Sequence, residues 1–259
     1  MAKKIMWDKG HGGIDPGAVD NGLKEADLTN IIVDHAMVYM TLNYTGFEQR
    51  ATRSIGQTLD LARRDDEANK WGANVFVSVH INAGGGTGFE TFIYNGGAPA
   101  STVSLQNTIH AEILAAMRKF GNVVDRGKKR ANFAVLRETN MDAVLTENLF
   151  IDTTVDANKL KNNAFLKAVG EAHARGVAKF LKLQEKPKQV NRPTNKNEGV
   201  VVVAGKEYED IANSWGKDAI IKAIEKGVIP GYDDGTWRPN QPIKRADIAV
   251  ILDRLGLLK

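Results

Sequence analysis

The stretch "KKIMWDKGHGGIDPGA" (3–18) decides how this chain is read. An apolar, β-prone run closes at Trp7, and Gly10, Gly12, Gly13, Pro16 and Gly17 crowd around His11 just beyond it. Glycines let the backbone turn tightly there without side-chain obstruction. The turn leaves His11 just past the C-terminal end of a strand, and in open α/β sheets ligands bind at that edge. The pattern recurs. "VFVSVHI" (75–81) delivers His80, and "AVLTENLFI" (143–151) carries Glu147 inside an otherwise apolar run. A carboxylate placed so is costly without a cation close by. Three separate strands thus bring two imidazoles and a carboxylate to one edge, the arrangement of a functional site.

Outward from these strands, apolar runs and helical patterns alternate over 3–183. "KKIMW" (3–7), "VFVSVHI", "FETFIY" (89–94) and "AVLTENLFI" read as strands. The spacing of Leu28, Ile32, Tyr39 and Leu42 predicts a helix over 24–42, and others are expected near 58–71, 101–119 and 162–182. The alternation predicts an α/β fold, a twisted and mostly parallel sheet with helices on both faces. The polar, proline-bearing "QEKPKQVNRPTNKNEG" (184–199) reads as a linker. Residues 200–259 form a small helical C-terminal domain, with helices near 214–227 (Trp215, Ala219, Ala223) and 244–256 around the turn "GYDDGTWRPN".

The chain has 259 residues and no cysteine, so any metal must be held by His and carboxylates. A catalytic zinc takes three protein ligands and leaves one position open. His11 and His80 give two. Glu25, in the first turn of the first helix, is the best-placed third, with Asp15 and Asp27 as rivals. Asp15 in "IDPG" reads as a turn former and Asp27 as a helix N-terminal acid. Glu147 is then the carboxylate that takes a proton from the attacking water and passes it to the leaving amine. His35 and His173 read as satisfied core-edge residues and His110 as a boundary residue. "GGGTG" (84–88) is no phosphate loop, "DDG" (233–235) no calcium loop, and no G-x-S-x-G elbow occurs.

The formal charge is +4, and 200–259 contributes nine basic and nine acidic residues, so the excess lies upstream. No Lys/Arg cluster with interleaved aromatics appears, which argues against a nucleic-acid partner. No apolar run is long enough to insert in a membrane. The opening "MAKKIMWDKGHGG" has no signal-peptide apolar region, so synthesis in the cytoplasm and later release are expected.

These residues, in this order, resemble the zinc-dependent N-acetylmuramoyl-L-alanine amidases (amidase type 3) of bacterial autolysins and phage endolysins. "DKGHGGIDPGA" is similar to the family's opening loop and "LKEADLTN" to its helix-borne glutamate. "TR…LARRDDEANKWGANVFVSVHINA" (from Thr52) resembles its central stretch, and "GFETFIY" and "ANFAVLRETNMDAVLTENLFI" its later strands and catalytic glutamate segment. Lys9 and "LTEN" depart from the usual pattern. The resemblance implies one zinc ion at His11, Glu25 and His80, with Glu147 as catalytic acid/base and no other cofactor. It implies cleavage of peptidoglycan at the amide joining the lactyl group of N-acetylmuramic acid to L-alanine.

The tail, "YEDIANSWGKDAIIKAIEKGVIPGYDDGTWRPNQPIKRADIAVILDRLGLL", resembles a single S-layer homology module, with "KRAD" at its signature position. That implies binding of an anionic secondary cell-wall polysaccharide, with Arg245, Asp247 and Trp237 as candidate contacts, and weak self-association as one route to avidity. The resulting expectation is a phage endolysin that acts on the wall after release. The alternatives are a host autolysin or a germination or sporulation amidase of the same chemistry, a zinc peptidase cutting within the stem peptide, and a non-catalytic wall-binding protein.

Overall fold

The computed structural model describes residues 2–187, 200–212, 214 and 216–257. The linker residues 188–199, Trp215 and the Arg245 side chain therefore lie outside the described residues. The chain divides into two compact units, Met1–Lys188 and Gln189–Lys259.

The first unit is built on one six-stranded sheet. Its strands are β1 (Lys3–Lys9), β2 (Phe47–Ala51), β3 (Val75–Asn82), β4 (Phe89–Tyr94), β5 (Asp125–Ala131) and β6 (Asp142–Phe150). They lie in the order β2-β1-β3-β6-β4-β5. All neighbours run parallel except β4 and β6, which are antiparallel. The mostly parallel sheet expected from the alternation is present. β2 and β5 escaped the sequence reading because "FEQRA" and "DRGKKRA" carry too few apolar residues to show a strand period. Both are edge strands, where charge is favoured because it discourages further pairing.

The two faces of the sheet differ in how they are covered. Ile5, Trp7, Val75, Val77, Val79, Ile81 and Val144 pack under the long helices α1 (Glu25–Asn43), α3 (Ala100–Met117) and α6 (Asn163–Leu181). Met6, Phe76, Ala143 and Leu145 pack under the shorter α2 (Leu61–Trp71) and α4 (Ala134–Arg137). Side chains alternate across a strand, so along β3 the second face reads Phe76, Ser78, His80, Asn82. The apolar cover gives way to polar chemistry toward the C-terminal end of the strand. β6 does the same, from Ala143 and Leu145 to Glu147. Helix α5 (Thr154–Leu160) follows β6 and completes the unit.

The second unit has its own small core of Val201, Val203, Tyr208, Ile211, Ile220 and Ile224. Besides the two expected helices, α7 (Lys217–Glu225) and α8 (Arg245–Arg254), it opens with a hairpin of β7 (Val201–Val203) and β8 (Lys206–Tyr208). No helix among the described residues is long and apolar enough to cross a membrane.

Candidate active site

Sheet register sets the site. His80 of β3 pairs with Glu147 of β6, and Glu147 pairs in turn with Glu90 of β4, so three ionisable side chains stand in a row on the α2/α4 face. His11 follows β1 after Gly10 and has a left-handed backbone (φ 56), a conformation unusual for a residue with a side chain. Glu25 is the first residue of α1 and is buried.

One donor atom each from His11, Glu25 and His80 lies within 4.8 Å of the others. His11 Nε2 is 3.2 Å from Glu25 Oε2, and His80 Nδ1 is 2.9 Å from Glu25 Oε1. The backbone N–H groups of Ala18 and Ile81 donate to the same carboxylate at 3.0 Å each. Burial alone would raise the Glu25 pKa, but the hydrogen bonds from His11 and His80 outweigh it and hold the carboxyl far below its ordinary range. The Glu25 hydrogen bond pushes His11 up to about 9 against its own burial, with Asp15 assisting. Burial opposes charge on His80, yet Glu25, Glu147 and Asp8 together raise its pKa. The centre is thus one that draws positive charge.

The donor set passes the test for a divalent cation. Two imidazoles and a carboxylate without sulfur suit zinc, whose tetrahedral bonds of about 2.1 Å place ligand atoms about 3.4 Å apart. The two His–Glu25 separations are close to that size, and all three donors lie within 4.8 Å. His11 also turns Nδ1 to Asp15 Oδ2 at 2.8 Å, the outer carboxylate that typically orients a ligating imidazole. Asp15 forms the turn as well, accepting from the Gly17 N–H at 3.0 Å. Asp27 is absent from the cluster, in line with its reading as a helix N-terminal acid.

Glu147 stands beside this trio without joining it. Burial pushes its pKa up to about 7; His80 pulls it back, and Glu25 and Glu90 add to the rise. Its Oε2 is buried with no hydrogen-bond partner. An orphaned oxygen of this kind is ready for a water or a substrate N–H. Glu147 lines a cavity of about 550 Å³ together with His11, Asp15 and His80 and an apolar wall of Ile14, Leu59, Phe133, Val135 and Leu145.

The supports of the site were not foreseen. Arg53 donates to the carbonyls of Lys9 (2.9 Å) and Gly10 (3.0 Å), and Arg64 to those of Lys9 (2.6 Å) and His11 (2.8 Å). Two buried guanidiniums therefore clamp the backbone of the His11 loop. Arg64 also donates to Asp8 (2.8 Å), which accepts from Ser78 Oγ at 2.6 Å and ties β1 to β3 below His80. In the sequence both arginines sit in polar stretches that look solvated.

Gly12 (φ +127) and Gly13 (φ +63) take the positive φ that lets the chain turn after His11, and Gly10, Gly12 and Gly13 each leave room for a neighbour. A Cβ at Gly10 would meet the His80 ring at 2.6 Å, one at Gly12 the Arg53 side chain, and one at Gly13 Thr58. The glycine against His11 is Gly17, whose Cβ would lie 2.7 Å from His11 Cδ2 and 2.6 Å from Glu25 Oε2.

The remaining histidines stay out of the site. His173 is fully buried between the Val169 carbonyl and Thr146 Oγ1, and burial pushes it down to about 4. His110 is no boundary residue. It is buried, 3.0 Å from Thr91 Oγ1 and 2.9 Å from Asp125 Oδ1. In the second unit the Trp237 ring packs on the small core, and its backbone N–H donates to Asp210 at 2.9 Å. Asp247 accepts from the Lys244 N–H at 3.1 Å and caps α8.

Similarity to known proteins agrees with this geometry. Residues 5–179 match the N-acetylmuramoyl-L-alanine amidase family, and residues 207–249 match the S-layer homology domain. The chain is 47% identical over 183 residues to a sporulation-specific N-acetylmuramoyl-L-alanine amidase of Bacillus subtilis, covering 70% of this chain and 69% of that one. It is 42% identical over 210 residues to an endolysin of Bacillus phage SPP1, covering 78% and 77%. The catalytic domain of CwlV, an amidase of Bacillus (Paenibacillus) polymyxa var. colistinus, superposes with a TM-score of 0.65 at 29% identity over 70% of this chain and 99% of its own. With the matched segment spanning the whole sheet and every residue of the site, the chain belongs to the N-acetylmuramoyl-L-alanine amidase family.

Proposed function

We propose that this chain cleaves peptidoglycan at the amide between the lactyl group of N-acetylmuramic acid and L-alanine, with one zinc ion held by His11, Glu25 and His80. The observation that carries the reading is the pair His80–Glu147 beside the three-donor cluster, with Glu147 lining the same cavity as His11 and His80. Zinc bound there supplies the Lewis acid that activates water and polarises the scissile carbonyl. Glu147 accepts the proton of the attacking water on its carboxylate and returns it to the alanine nitrogen as the C–N bond breaks. A carboxyl held above its ordinary range by burial suits both halves of that transfer. Asp15 fixes the His11 ring, and Arg53 and Arg64 hold the loop that presents it.

The S-layer homology match supports a tethering role for the second unit, with an anionic secondary cell-wall polysaccharide as its partner. Similarity to an endolysin along 78% of this chain supports wall lysis after release from the cell that makes the protein. The likeness to a sporulation-specific amidase supports a second reading, lysis of a sporulating cell's own wall.

The test is end-group analysis of digested cell walls. We expect new L-alanine amino termini at unchanged glycan length, and a rate about 10²–10⁴-fold lower for Glu147→Gln. A different new amino terminus would indicate a stem-peptide peptidase instead.

A further inference from the structure

Beyond Glu147 the row continues to Glu90, a carboxylate only 3% exposed. Its oxygens are fully engaged. Oε1 accepts from Asn82 Nδ2 at 2.7 Å, and Oε2 accepts from Arg126 Nε at 3.1 Å and from Lys129 Nζ. One buried negative charge thus gathers two positive ones, leaving a surplus of one cation beside the catalytic carboxylate. Neither cation is spent. The Arg126 and Lys129 side chains remain 32% and 40% exposed, and among the described residues Arg126 gives Glu90 only its Nε. The Arg126 guanidinium lies over the Phe150 ring at 4.8 Å, which holds the planar group with its two terminal nitrogens still to donate.

Discouraging edge pairing accounts for Lys128 and Arg130 of the same strand, which alternation sends to the other face, where Lys128 reaches Asn107 of α3. It does not account for a pair of cations drawn inward onto a buried acid. Such a braced fork is the arrangement that receives a carboxylate. Strands lie about 4.8 Å apart, so Glu90 stands about 5 Å beyond Glu147 at the backbone. An extended peptide advances about 3.5 Å per residue. A chain whose scissile amide lies at Glu147 and which runs toward β4 has its next one or two residues within reach of this cradle.

We propose that Arg126 and Lys129, braced by Glu90, form a specificity subsite for a carboxylate one or two residues beyond the scissile amide. This rests on the amidase reading and adds to it both a substrate polarity and a direction, with the acidic stem peptide running from Glu147 toward β4 and β5.

The test compares two soluble substrates whose glutamyl γ-carboxyl is blocked as an amide, N-acetylmuramoyl-L-alanyl-D-glutamate γ-methylamide and its counterpart in which a carboxamide replaces the α-carboxylate. The readout is the ratio of their kcat/KM values. We expect the full chain to favour the carboxylate by about tenfold or more, as for a hydrogen bond to a charged group. Arg126→Gln and Lys129→Gln should bring the ratio toward one, mainly through KM, and Lys129→Arg should keep it. Losing Lys129 also leaves the charge of Glu90 less balanced beside Glu147, but that affects both substrates alike and cancels in the ratio. A wild-type ratio near one overturns the proposal, as do variants that slow both substrates equally. If the wild-type protein cuts neither substrate, the amidase reading falls and this proposal with it.

Discussion

In the proposed reaction Glu147 is a base toward water and an acid toward the departing amine, and its surroundings set that balance. Burial raises its pKa from 4.5 to about 7, while a divalent cation on the neighbouring ligands favours the charged form and works the other way. The first proton transfer needs the carboxylate, so activity should rise with pH through this group. We expect an acid limb in the kcat/KM profile with its midpoint between 4.5 and about 7. The residual activity of Glu147→Gln should lack that limb, and a limb that persists in the variant would move the role to another residue. Glu147 was legible in the sequence because a charge interrupts an apolar run. Arg53 and Arg64 were not, because a buried guanidinium spent on backbone carbonyls looks, as a letter, like one in water. Asp15 was half legible: its turn was seen, its bond to His11 was not.

At the scale of elements, the strands that lead to His11, His80 and Glu147 were readable. β1, β3 and β6 are buried on both faces and so appear as continuous apolar runs. Edge strands β2 and β5 gain their place from pairing rather than composition, and only the fold reveals them. The loop between β1 and α1 is where backbone and chemistry meet. Gly17 adopts φ +65, and a Cβ there would press on both His11 and Glu25. Gly17→Ala should cost about 1–2 kcal/mol in backbone strain and weaken zinc binding by about 10–100-fold. Gly22→Ala is the matched control, since Gly22 has φ +75 and nothing within 4 Å of its Cβ position. It should show the strain alone. Competition with a chromogenic chelator together with thermal unfolding separates the two effects. Equal zinc affinity in the two variants would mean that Gly17 does not hold the ligands in place.

For the whole molecule, the catalytic and C-terminal units carry separate cores. Their tasks should be separable too. Removing 189–259 is expected to lower the fraction bound to sedimented walls by about tenfold or more while cleavage of a soluble muramyl peptide continues, since tethering acts through local concentration. Unchanged sedimentation would reduce the C-terminal unit to a passenger. The division of labour at the catalytic end rests on three residues holding a metal and a fourth that does not. Its most direct measurement is the metal content of the purified full chain by atomic emission, for wild type, Glu25→Ala and Glu147→Gln. About one zinc per chain is expected in wild type and in Glu147→Gln, and close to none in Glu25→Ala. Full zinc in Glu25→Ala, or its loss from Glu147→Gln, would contradict the assignment of ligands and acid/base made here.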